Sequence, residues 1–278
     1  MTRVEFAGKT AIVTGAASGI GAALARELAG RGCHLALADI DEAGLEDIAS
    51  GLRSNDRRVT AHVVDVADPG ATGAFADDVR STHGEAHLLF NNAGVALGGM
   101  FDQVTPEQFD RVIDINLQGV VRMTRAFLPL IRESGEGHIT NISSIFGVIA
   151  PAGQTAYSAA KFGVRGFTMA LRHELSGTPI GVSTVHPGGV ATNIAKTAER
   201  GVGVSDEEYN IGQKAADQSL VMPPPLAAGI ILRGVERRKP RIFVGRDAHT
   251  LMWMERLLPT RYWGLIRQRL TMSAPRAT

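Results

Sequence analysis

Thr14-Gly15-Ala16-Ala17-Ser18-Gly19-Ile20-Gly21 follows the apolar run 10–13 and leads straight into the helical spacing of 20–29. Glycines at 15, 19 and 21 let the backbone come close to a ligand. A helix starting there presents unpaired amides and the positive end of its dipole. Strand, glycine turn and helix in that order are the context a pyrophosphate-binding turn requires. A plain tight connection between strand and helix is the alternative, and the surrounding pattern decides between the two.

That pattern is regular. Short apolar runs at 10–13, 35–38, 59–64, 88–90, 138–142, 181–185 and 241–244 read as strands. Longer segments at 20–29, 43–52, 106–131, 156–175 and 225–237 carry helical spacing, and Pro223-Pro224-Pro225 reads as the lead-in to the last of them. Strands alternating with helices imply parallel pairing through right-handed crossovers. The expected fold is therefore α/β, a Rossmann-type doubly wound parallel sheet of about seven strands with helices on both faces. One domain is expected over 1–245, with a helical extension over 246–278. Ligands of such sheets sit beyond the C-terminal strand ends, so functional residues should follow strands.

Asp39 follows the second strand, 18 residues after Gly21. A carboxylate there can accept hydrogen bonds from the adenosine ribose hydroxyls and repels a 2′-phosphate. No Arg or Lys occupies positions 16–18 or directly follows Asp39. NAD is thus expected over NADP. The competing role for Asp39, capping the next helix, could equally be supplied by Asp41.

Composition excludes several other classes. Twenty-nine basic and 28 acidic residues leave a net charge of +1, which gives no electrostatic footprint for nucleic acid. Cys33 is the single cysteine, so neither an intrachain disulfide nor a cysteine metal cluster is available, and no metal site is expected. Residues 226–232 are about as continuous as the apolar runs become, short of the roughly 18 residues of a membrane span. The N-terminal stretch lacks the pattern of a secretory signal, and a cytoplasmic address is expected.

Further along the chain stand Asp65-Val66 after the third strand and Asn91-Asn92-Ala93-Gly94 after the fourth. Asn116 follows, then Ser143-Ser144 after the fifth strand, Tyr157-Ser158-Ala159-Ala160-Lys161, and Pro187-Gly188 after the sixth. In this order and spacing, with Thr14-Gly-x-x-x-Gly-x-Gly at the start, the sequence resembles the short-chain dehydrogenase/reductase family. The resemblance implies catalytic roles for Asn116, Ser144, Tyr157 and Lys161. It implies cofactor contacts from Gly15, Ser18, Gly19, Ile20, Gly21 and Asp39 at the glycine turn. Further contacts are implied for Asp65, Val66, Asn92, Ala93 and Gly94 after the middle strands, and for Tyr157, Lys161, Pro187, Gly188, Val190 and Thr192. Asp65 and Val66 would border the adenine, Asn92 the adjacent ribose, and Val190 and Thr192 the carboxamide. The implied reaction interconverts an alcohol and a carbonyl, with Tyr157 moving the hydroxyl proton while a hydride passes to or from the nicotinamide.

The residues support the same chemistry. Tyr157 and Lys161 are four apart on a helix and share one face, so the ammonium favours the phenolate. Ser144 lies 13 residues before Tyr157 and competes with Ser143 for the role of polarising the substrate oxygen. Asn116 sits inside a helical segment where asparagine is poorly suited; by resemblance it breaks the helix locally and binds a water linked to Lys161. A catalytically silent nucleotide-binding regulator or scaffold is the alternative function, and it would not need these four residues together.

Residues 193–222 should form a variable flap over the substrate, with Gly201 and Gly203 as hinges. Apolar edges at 95–100 and 145–150 favour an apolar secondary alcohol or ketone. A homodimer or homotetramer is implied by the resemblance, through helices 106–131 and 156–175. The tail carries helical patterns at 247–258 and 260–270, in which apolar residues such as Trp253 and Leu257 alternate with Arg256, Arg261, Arg267 and Arg269. Packing over the cleft or an oligomer interface is favoured over contact with a membrane surface.

Overall fold

The computed structural model describes residues 3–266. In chain order the elements of the first half are β1 (Thr10–Thr14), α1 (Gly19–Gly30), β2 (His34–Asp39), α2 (Glu42–Leu52), β3 (Val59–Val63), α3 (Pro69–His83) and β4 (Leu88–Asn91). Next come β5 (Leu97–Gly98), α4 (Pro106–Ile113), α5 (Gly119–Glu133), β6 (Gly137–Ile142), α6 (Thr155–Glu174) and β7 (Ile180–Pro187). The chain closes with β8 (Glu199–Arg200), α7 (Asp206–Ser219), α8 (Pro224–Glu236), β9 (Arg241–Val244) and α9 (Arg246–Leu257). Seven strands pair in parallel in the order β3-β2-β1-β4-β6-β7-β9, and β5 pairs with β8 in a separate small sheet. Strand order reverses between β1 and β4, which opens a crevice at their C-terminal ends.

Alternation along each strand builds the two faces of the sheet. Ala11, Val13, Leu35, Leu37, Leu88 and Phe90 point into a core shared with α1, α2 and α8. Ile12, Ala36, Ala38, Leu89, Ile139 and Val182 point the other way, onto α3, α5 and α6. With both faces covered, the strands read as unbroken apolar runs. Each large side chain buried there contributes roughly 1.5–3 kcal/mol.

Two helices carry little of the apolar spacing by which helices are recognised. α3 buries only Thr72, Phe75 and Val79, and α7 buries nothing. Both are set by their ends instead. Asp68 accepts from the amides of Gly70 and Ala71, and Ser205 and Glu208 form a reciprocal capping box. The segment expected as one helix over 106–131 is α4 and α5 joined by a π turn at Asp114–Gln118.

The extension folds back onto the sheet. Ala248, Leu251, Met252, Tyr262 and Ile266 pack on Ile145, Val148, Ile149 and Phe243. Trp253, Leu257, Leu258 and Leu265 stay exposed. Arg267, Arg269 and the end of the helix expected over 260–270 lie outside the described residues. Among the described residues no helix is long and apolar enough to cross a membrane, and no cluster of His, Cys, Asp or Glu could hold a metal ion.

Two buried histidines on neighbouring strands make stability depend on pH. His138 shares a hydrogen bond with Ser183 Oγ at 2.7 Å, and burial pushes its pKa down to about 3. His186 stacks on Phe243 with ring centroids 5.0 Å apart, and burial pushes it down to about 4. Unfolded histidine titrates near 6.5, so below that pH the unfolded chain takes up protons the folded chain refuses. The contribution of the two rings is therefore complete above about pH 6.5 and falls by up to about 1.4 kcal/mol per pH unit for each ring on acidification toward the folded values. The urea midpoint should drop between about pH 7.5 and about pH 5, and a flat or rising midpoint would contradict this account.

Candidate active site

The glycine turn occupies the switch point between β1 and β4. Gly15 and Gly19 have φ of 64° and 54°, a region that disfavours side chains. A Cβ on Gly15 would lie 2.9 Å from Ala93 Cα, and one on Gly21 would lie 2.7 Å from Asn92 Nδ2 and nearer still to Gly15 O. Backbone must pass here without side chains. Thr14, at the end of β1, accepts at its Oγ1 from the amides of Asn92 and Ala93, both at 3.0 Å. Asn92 spends its side-chain amide on the carbonyls of Thr14 and Gly15, at 3.0 and 3.1 Å. Asn92 thus staples β4 to the turn through its Nδ2.

No side chain caps the N-terminus of α1, and no acidic residue stands in its first turn, a state it shares with α5, α6 and α8 but one that here faces the glycine turn. The positive end of α1 is left for an anion. Asp39 accepts from the amides of Ala17 at 2.9 Å and Asp41 at 3.1 Å, so its carboxylate edges the same turn. Asp41, not Asp39, caps α2 by accepting from Gly44 N. The close-packed glycines, the open helix end and the carboxylate at the tip of β2 fit a dinucleotide.

The other nucleotide-side residues divide between backbone and side-chain duties. Asp65 turns its carboxylate onto Ala67 N at 2.9 Å, and Val66 is buried in the core, where a Cβ on Gly119 would be 2.8 Å from its Cγ2. On the far side of the crevice, Val190 bridges to Met222 and Thr192 Cγ2 lies 3.1 Å from where a Cβ on Gly19 would be. Thr192 therefore stands beside the glycine turn, with Val190 behind it on Met222.

Tyr157, Lys161 and Ser144 meet where β6 ends and α6 begins. Ser144 stands close enough to the Tyr157 phenol to pull its titration down, and Ser144 Oγ accepts from Phe146 N at 3.1 Å. Lys161 Nζ donates to Ile142 O at 3.1 Å and stands 5.5 Å from the centre of the Tyr157 ring. Ser143 is turned away, donating to Lys161 O at 2.8 Å. The backbone carbonyl of Ser144 is met in turn by His186 Nδ1 at 3.0 Å. Burial governs both titrations: it pushes the Tyr157 phenol up to about 12, against the lowering by Ser144, and the Lys161 amine down to about 8.

Asn116 lies in the π turn, with its Nδ2 donating to Val95 O at 2.9 Å and Val112 O at 3.0 Å. Its Oδ1 is buried without a partner. A Cβ on Gly94 would be 2.5 Å from that oxygen and 3.4 Å from Lys161 Nζ, so the glycine lets both atoms face one small space. An orphaned buried acceptor beside a lysine is a place for a proton-carrying water. The π turn is what aims the amide there.

Sequence reading passed over a polar chain under the site. Asn91 Nδ2 donates to Asn141 Oδ1 at 2.8 Å and to Thr124 Oγ1 at 3.1 Å, and Asn141 Nδ2 donates to Thr168 Oγ1 at 2.9 Å. The chain ties β4, β6, α5 and α6 together. Its members lie far apart in sequence, and only Asn91 stands in a recognisable motif.

Apolar groups line the substrate side. Tyr157 packs with Leu97, Val112, Ala156 and Ala160, and Phe146 meets its ring edge-on at 6.2 Å. The flap is pinned against this wall: β8 pairs with β5, and Gln108 donates to Glu199 Oε1 at 2.7 Å and Arg200 O at 2.9 Å.

The sequence pattern described as short chain dehydrogenase matches residues 9–202. The chain belongs to the short-chain dehydrogenase family. SadH of Mycobacterium tuberculosis, described as an oxidoreductase, is 40% identical over 265 residues, covering 94% of this chain and 95% of SadH. Among solved structures, a short-chain dehydrogenase/reductase from Burkholderia phymatum in complex with NAD superposes with a TM-score of 0.84 at 28% identity, covering 91% of this chain and 95% of that one. A short-chain dehydrogenase from Mycobacterium paratuberculosis bound to NAD gives 0.77 at 28% identity over 89% of this chain and all of the other. The Rossmann-like sheet is common to them, and this chain is an oxidoreductase of the short-chain dehydrogenase kind that uses a nicotinamide cofactor.

Proposed function

We propose that the protein interconverts an apolar secondary alcohol and its ketone using NAD(H), with Tyr157 as the proton-transfer residue. The observation that carries this reading is the buried Tyr157 with Lys161 Nζ 5.5 Å from its ring centre, facing the unpartnered Asn116 Oδ1, and with Ser144 near the phenol. A substrate oxygen placed between the two hydroxyls is oriented by Ser144 and exchanges its proton with Tyr157 Oη. Lys161 Nζ and the free Oδ1 of Asn116 face one space, and a water there passes the proton onward. Bound NAD supplies the hydride acceptor and, when oxidised, a positive charge that opposes the upward push of burial on the phenol. Leu97, Phe146 and their neighbours exclude water and favour an apolar substituent on the carbinol carbon.

Asp39 supports NAD over NADP. Its carboxylate stands beside Ala17 and Asp41, with no basic residue at 16–18 to receive a 2′-phosphate. Replacing it by Ala should raise the Kd of NAD by about 10-fold, the loss of hydrogen bonds to a charged group. The same change should narrow the gap to NADP. Calorimetric titration of both cofactors into both proteins checks this, and equal NAD and NADP affinity in the wild type would refute the assignment.

A further inference from the structure

The first turn of α9 reaches the loop that follows β7. Asp247 accepts from Gly189 N at 2.6 Å through Oδ2. A Cβ on Gly188 would lie 2.5 Å from Asp247 Cγ and nearer still to Oδ2, and a Cβ on Gly245 would also overlap the carboxylate. Gly245 has φ 107°, which lets the chain turn back so that Asp247 lands on the loop. The space beside Gly188 is thus filled by one side chain, delivered from outside the glycine turn and its strands.

Gly189 is held from both directions. Its carbonyl accepts from the amides of Val221 at 3.1 Å and Met222 at 2.9 Å, while its amide donates to Asp247. Ala191 N then donates to Met222 O at 2.8 Å, and Thr192 comes to rest against Gly19. The flap end supplies backbone partners only. The side chain that fixes the turn is Asp247, and a hydrogen bond from an amide to a carboxylate is among the stronger kinds.

We infer that Asp247 is a positioning residue for the nicotinamide half of the cofactor site: it locks the 187–189 turn and so sets Val190 and Thr192 beside the glycine turn. This rests on the reading, implied by the family resemblance, that Val190 and Thr192 border the carboxamide of the nicotinamide. The adenosine end is held by Asp39, whose carboxylate accepts from Ala17 N and Asp41 N and which Asp247 does not touch. Its loss should therefore weaken one half of the cofactor and spare the other.

The test is calorimetric titration of NAD and of ADP-ribose, which lacks the nicotinamide, into wild type, Asp247→Ala and Asp247→Asn. For Asp247→Ala the Kd of NAD should rise by about 10-fold, the loss of one charge-assisted hydrogen bond, while that of ADP-ribose stays within about 2-fold. Asp247→Asn keeps an acceptor and should restore most of the NAD affinity. General loosening of the fold would weaken both ligands together, and that result, or no change in either, would overturn the inference. If Asp247→Ala does not fold, Gly188→Ala provides the second route, because its new methyl must displace the carboxylate. The same selective loss of NAD is expected there, and unchanged affinities would again overturn the inference. Failure of the wild type to bind either ligand would instead bring down the cofactor reading on which the inference stands.

Discussion

Tyr157→Phe is expected to lower kcat by about 10³-fold or more while leaving the Kd of NAD within about 3-fold, since a positioned acid/base contributes roughly 10²–10⁴-fold. The substitution removes one oxygen from a side chain that is otherwise packed by Ala156, Ala160, Leu97 and Phe146. Ring and packing are retained, so the fold should tolerate it. Ser144 keeps the bond it accepts from Phe146 N at 3.1 Å, which holds it in place. Lys161 keeps its bond to Ile142 O. What disappears is the group able to hold a proton at the substrate oxygen. Parallel measurements of turnover and cofactor titration decide the matter, and turnover close to wild type would remove Tyr157 from the mechanism.

Gly21→Ala is expected to reduce NAD affinity by about 100-fold or more, a loss near 2.7 kcal/mol on the scale of one tenfold step per 1.4 kcal/mol. The reason is steric. The new methyl would fall inside contact distance of Gly15 O and 2.7 Å from Asn92 Nδ2, the amide that staples β4 to the turn. Neither neighbour can move alone, because Thr14 and Asn92 are bonded to each other's backbone. The turn must open, and the amides at the start of α1 lose their aim. Helix propensity alone predicts the opposite sign, since alanine favours a helix over glycine by about 1 kcal/mol. A variant binding NAD as tightly as the wild type would show that the turn is not the pyrophosphate cradle.

The legible parts of the molecule were those written in short-range spacing. Gly15, Gly19, Gly21 and Asp39 sit at fixed distances along the chain, and Tyr157 and Lys161 share a helix face by being four apart. Alternating runs and helical segments carried the seven strands because both sheet faces are covered and the strands are continuously apolar. What spacing could not reveal was which atoms pay each other attention across the sheet. Asn92 Nδ2 bonds the carbonyls of Thr14 and Gly15, and Ser143 reads as a rival to Ser144 but donates to Lys161 O. α7 has no apolar stripe to announce it, so Ser205 and Glu208, a capping pair, were its one available signal. Asp247 looked like an ordinary residue of a helical tail until the fold brought it against Gly188 and Gly189.

The central claim is hydride transfer between a carbinol carbon and the nicotinamide. The direct measurement uses NAD with a panel of apolar secondary alcohols carrying deuterium on the carbinol carbon, followed by NMR of the reduced cofactor. Deuterium is expected at C4 of the nicotinamide with the wild type and none above background with Tyr157→Phe. NAD bound by the wild type with no label transferred from any alcohol of the panel would contradict it and leave a nucleotide-binding protein without this chemistry.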